Sequence, residues 1–309
     1  MFLISIMGHN VFAVPAVPWA VEKIQPDGTK ISVYLKGDER VHWMESLDGY
    51  TLMYDAKKYV VYAEQDANNN MVPSKTKYNG ISAAPSTVKK GIRYSSPQVK
   101  AFEQIWEVTS DEGPQKTSGA GPQRAAPTVG ERKALCVLMS FTDKAFGKSV
   151  SEFETLFNQV GFYPTDNSSK GSVRDFFREN SYGKLDFTVT IKGPYLAPNT
   201  AQYYATHERE FATAAATAAD ADLDYNDFAT DGILETFHIL FAGYGDESIN
   251  NGNQIWSHKW QLASPITLDG VRISVYSCSP ELRGSSGTNT TYIGVVCHEL
   301  SHVFGAPDY

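Results

Sequence analysis

His298, Glu299, His302 and Asp308 are the residues of this sequence whose types and spacing can do chemistry together. Ile293, Val296, Cys297, Leu300 and Phe304 recur around them at helical intervals. That pattern predicts a helix with one buried face and puts His298 and His302 together on another. Side chains four apart on a helix are neighbours, so two imidazoles can reach one ion from a rigid support. Glu299 projects beside such an ion instead of onto it, where a carboxylate can act as general base. Gly305 stands where a helix takes a left-handed C-terminal residue, and Pro307 forbids its resumption. The turn this forces can bring Asp308 round as a third ligand, leaving a fourth position open to water. Two imidazoles and a carboxylate suit Zn²⁺, although other first-row metals accept the same donors. The competing explanation is a surface helix that happens to carry two His and a Glu. With 7 His and 35 acidic residues in 309, chance yields a His-acid-x-x-His in about 2% of such chains, and in about 0.02% once Gly305 and Asp308 are also required. Coincidence is the poorer account.

The elements that must position these residues follow from periodicity. From Ala134 onward strands and helices alternate: an apolar run to Phe141, a helix opened by a Ser151 to Glu154 capping box, and a second helix from Ser172 with Val173, Phe176 and Phe177 on one face. Gly183 ends that helix, and Leu185, Phe187, Val189 and Ile191 alternate as a strand. His207 to Ala221 is Ala-rich and helical, and Thr236 to Ala242 and Val271 to Tyr276 read as strands. The order predicts an α/β layer with a mostly parallel sheet. Ahead of it, period-2 runs between Lys30 and Val72, split by Gly and Asp turn signals, predict a small antiparallel meander. A short helix carrying Val99, Phe102, Ile105 and Trp106 follows. The Gly, Pro, Ser, Gln and Thr of Thr109 to Arg132 then predict an exposed linker open to proteolysis.

The domain expectation is therefore a signal peptide over residues 1–16, a β module over 17–85, a helix and linker over 86–132, and the metal-bearing domain over 133–309. The signal rests on the apolar stretch Phe2 to Met7 and the small residues Val11 and Ala13, and it implies a secreted or extracellular protein. No stretch reaches the length of apolar residues a membrane span needs. A net charge of -8 argues against nucleic acid as a partner. Three cysteines make no disulfide framework: Cys136 reads as a small core hydrophobe, and the pairing of Cys278 with Cys297 is left open. Neither a phosphate-binding Gly-rich loop nor a Gly-x-Ser-x-Gly elbow is present.

The run His298-Glu299-x-x-His302-x-x-Gly305-x-x-Asp308 resembles that of the immune inhibitor A-like metallopeptidases, a metzincin group with Asp as third zinc ligand. The resemblance extends to Gly171-Ser172-Val173-Arg174-Asp175-Phe176-Phe177 with Ser181-Tyr182-Gly183, to Ala242-Gly243-Tyr244-Gly245, to Ile255-Trp256-Ser257-His258, and to Asp48-Gly49-Tyr50 in the β module. It implies an α+β / α/β fold class: a propeptide-like antiparallel β module, then a metzincin-like catalytic domain with a twisted, mostly parallel sheet and an active-site helix. The sequence stops one residue past the third ligand, so the expectation is of a catalytic domain truncated there, without methionine turn or C-terminal subdomain. It also implies a secreted zinc endopeptidase made as a zymogen, with Glu299 catalytic, His298, His302 and Asp308 on the metal, and a protein or peptide as substrate. By analogy, an edge strand near Gly243 to Gly245 would pair with extended substrate. Relatives often carry a dense Asp-Gly loop that can bind calcium. Here the sparser Asp220, Asp222, Asp224, Asp227, Asp231 and Glu235 read better as a solvated acidic helix end, with calcium left open. His258 reads as a satisfied half-buried side chain, and His42, His207 and His238 receive no role. The alternative from another class is a noncatalytic secreted binding protein that retains a remnant metallopeptidase fold.

Overall fold

The computed structural model describes residues 20–37, 41–107, 125–164, 170–249 and 251–306. The residues expected to form an export signal, 1–16, lie outside these. Two compact units divide the chain: Pro15–Pro122 with Asp246–Asn251, and a larger one built mainly from Gln123–Gly245 and Gly252–Tyr309.

The first unit is an antiparallel meander of six strands in sequence order: β1 (Val21–Ile24), β2 (Lys30–Gly37), β3 (His42–Ser46), β4 (Thr51–Tyr54), β5 (Val60–Gln65) and β6 (Met71–Lys77). Ile31, Val33 and Leu35 of β2 are buried and alternate with outward residues, so one face collects Met44, Leu52, Val60 and Tyr62 into a core. Helix α1 (Ser96–Glu107) follows.

The second unit carries strands β7 (Gly130–Ser140), β8 (Leu185–Leu196), β9 (Ala229–Thr230), β10 (Ile233–Leu234), β11 (Phe237–Tyr244), β12 (His258–Leu268) and β13 (Val271–Leu282). Its helices are α2 (Val150–Asn158), α3 (Val173–Asn180), α4 (Ala201–Tyr204), α5 (Glu208–Ala219) and α7 (Ile293–Val303); the short α6 (Asp246–Ile249), between β11 and β12 in sequence, belongs to the first unit. The sheet order is β8-β7-β11-β13-β10-β9, with β12 paired antiparallel to β13. The β7–β8, β7–β11, β11–β13 and β10–β13 pairs are parallel. The sheet is thus mixed and mostly parallel, and the chain as a whole is an α+β arrangement.

Strand β7 is central and covered on both faces, which is why it reads as an unbroken apolar run. Leu135, Val137 and Met139 face the core built with α4 and α5. Ala134, Cys136 and Leu138 face the one built with α2, α3 and α7. None of the described helices is long and apolar enough to cross a membrane.

Several expectations need correction. The helix-opening box is Ser149 with Glu152, not Ser151 with Glu154: Ser149 accepts from the Glu152 amide while the Glu152 carboxylate takes the Ser149 N–H. The linker expected to reach Arg132 ends sooner, since β7 already begins at Gly130 and Ala126 is buried. Strand β13 runs six residues beyond the expected Tyr276, and β12 was not foreseen. Strand β11 is interior over Phe237–Phe241, paired with β7 on one side and β13 on the other, and beyond Phe241 its ladder partner is β13 alone, through Tyr244 and Leu282. Its end lines a cleft of about 490 Å³ with Lys144, Lys148 and Glu281. Cys278 and Cys297 form no disulfide; they belong to cores on opposite faces of the sheet.

Candidate metal centre

Helix α7 has no side-chain cap at its start, so packing holds it: Val296, Cys297, Leu300 and Val303 are buried against the sheet face shared with α2 and α3. Its last turn is fixed more closely. The Phe304 ring packs 5.0 Å from that of Phe177 on α3 and 5.2 Å from that of Phe187 on β8. Gly305 has a φ of +85°, a conformation that costs glycine little, and its N–H returns to the His302 carbonyl at 3.1 Å. The sequence Gly171 to Phe177 serves this support. Ser172 caps α3, the Asp175 carboxylate accepts from the Gly161, Phe162 and Ser172 amides, and Arg174 forks onto Asp186 at 2.7 and 2.9 Å. A Cβ on Gly171 would lie 2.9 Å from that of Asp175.

On this support the two imidazoles converge. The Nε2 atoms of His298 and His302 are 3.1 Å apart, with ring planes at 90°. His302 Nδ1 lies 2.8 Å from the Ala306 carbonyl oxygen. A carbonyl only accepts, so Nδ1 carries the proton and Nε2 presents its lone pair. An ion about 2.05 Å from each Nε2, an ordinary zinc–nitrogen distance, would see the two nitrogens about 100° apart, close to a tetrahedral angle. The second-nitrogen contact to a carbonyl is the usual way a ligating His is oriented. Geometry, tautomer and donor type therefore fit zinc. Glu299, next along the helix, is fully buried.

The third expected ligand, Asp308, lies outside the described residues. Among the described residues no group of three or more His, Cys, Asp and Glu is gathered as a metal site. The structure thus brings together two of the expected ligands and sets Glu299 beside them.

The other described histidines have different settings. His258 is fully buried, not half-buried, with Nδ1 2.8 Å from the Trp256 carbonyl and Nε2 2.8 Å from the Tyr276 hydroxyl. Burial pulls its pKa down to about 4. His238 is buried beside the Ser277 hydroxyl at 2.8 Å, and burial pulls it down to about 3. His207 stacks on Tyr203 ahead of α5, and His42 opens β3. In the acidic stretch the Asp224 carboxylate takes the Asn226 amides, and Asp269 takes the Tyr225 N–H.

Three supports of the site escape sequence reasoning. Ala306 acts through its carbonyl, which residue type does not reveal. Ala126 acts through its N–H, which donates to the Val303 carbonyl at 2.9 Å. Glu281 is buried where its carboxylate collects the Gly147, Lys148 and Gly243 amides at 2.6, 2.7 and 3.0 Å, tying the loop after β7 to the ends of β11 and β13. A search against protein-family models finds no match, and a search of curated proteins finds none either.

Proposed function

We propose that this chain carries the catalytic part of a zinc-dependent endopeptidase of the metzincin kind, secreted and made as a zymogen, with a protein or peptide as substrate. The observation that carries this reading is the convergence of the His298 and His302 Nε2 atoms at 3.1 Å, with a buried glutamate between them in sequence. A mostly parallel sheet backed by the histidine helix is the architecture the motif resemblance implies. Asp308 is assigned as the third ligand on sequence alone.

Zinc held by these residues would supply Lewis acidity toward a scissile carbonyl and acidify a water molecule. The protein's own part is orientation and proton movement. The Ala306 carbonyl holds His302 in the tautomer whose Nε2 can ligate. The Glu299 carboxylate takes a proton from the attacking water and returns it to the leaving amine, which requires hydrogen-bond reach of both. The meander of the first unit fits the propeptide role, and the linker from Thr109 is the expected place of activation.

The test is the Glu299→Ala variant. Zinc content should match the parent, while hydrolysis of a quenched protein substrate falls by about 10²–10⁴-fold. Near-parental hydrolysis in that variant would overturn the assigned mechanism.

A further inference from the structure

The metal-bearing turn is held from outside its own helix by two residues from the stretch expected to be a linker. Val303 is the last residue of α7, and its carbonyl is one of those a helix end leaves without an internal partner. The Ala126 N–H fills that role at 2.9 Å, with both residues 5% exposed. Next to it, a Cβ built on Gly305 would lie 3.0 Å from the Ala125 Cβ, so the segment lies close against the turn. That turn carries the Ala306 carbonyl that orients His302. Ala125 and Ala126 are therefore a strap across the end of the metal helix.

Resting on the zinc reading above, we propose that Ala125 and Ala126 form a positioning strap for the metal site.

The test begins with chelator competition for zinc on the full chain, its Ala126→Pro variant, which lacks the N–H, and its Ala126→Gly variant, which keeps it. Zinc affinity should fall about 10-fold or more in Ala126→Pro, as for other groups that orient ligands, and stay within about threefold in Ala126→Gly. The far-ultraviolet circular dichroism of all three should coincide. Equal zinc affinity in parent and Ala126→Pro would overturn the strap. A folded parent that takes up no zinc would instead sink the metal reading itself, so the two failures are distinguishable.

Discussion

Two pairs of histidines in the larger unit share a chemistry and differ in setting. His238 and His258 sit in the sheet, fully buried, with ring nitrogens engaged by Ser277, Trp256 and Tyr276. His298 and His302 sit half-buried at the end of a helix, with Nε2 atoms turned toward each other and one Nδ1 anchored on a backbone carbonyl. The contrast teaches what makes a histidine a ligand candidate. It is the direction in which a lone pair is left pointing, which the partner of the other nitrogen decides.

The comparison breaks if the two pairs respond alike to truncation. His238→Ala leaves a cavity and strips the Ser277 hydroxyl of its partner, and should cost about 2–4 kcal/mol of stability with zinc content unchanged. His302→Ala should do the reverse, abolishing tight zinc binding while the metal-free protein melts within a few degrees of the parent. Denaturant titrations with and without a chelator measure both.

Acid sharpens the same contrast. The folded pKa values of His238 and His258 are pulled from 6.5 to about 3 and about 4 by burial. The unfolded chain therefore takes up protons first, so the stability these residues contribute is complete above pH 6.5. It is lost as the pH falls toward 3, by on the order of a few kcal/mol in all. Denaturant midpoints should drop between pH 7 and pH 4, and His238→Gln should flatten part of that slope. A midpoint that rises over this range would contradict the burial of uncharged imidazoles.

The readable parts of this molecule are those in which side-chain type carries the signal. The histidine helix, its Gly305 terminator, the Ser172 cap and the alternating strands of the meander all announce themselves by periodicity or capping chemistry. The unreadable parts depend on partners distant in sequence. Strand β13 continues through Ser277, Ser279 and Glu281, which look like a polar loop but are buried, the two serines paired with β11. Strand β12 contains Pro265 and an irregularity between Gln261 and Ile266 that break its period. The order of strands, not their composition, puts β11 inside the sheet. The cap of α2 was ambiguous because Ser149-x-x-Glu152 and Ser151-x-x-Glu154 overlap, and only backbone geometry separates them. The smallest expected effect follows: Ser149→Ala should cost about 1 kcal/mol in thermal or chemical unfolding and Ser151→Ala close to none.

The most direct test of the central claim is the zinc content of the purified chain beside that of a His298→Ala, His302→Ala double variant. The account predicts close to one zinc per parent chain and its loss in the double variant. A folded parent without zinc, or a double variant that retains it, would contradict the claim that these two imidazoles form a metal site.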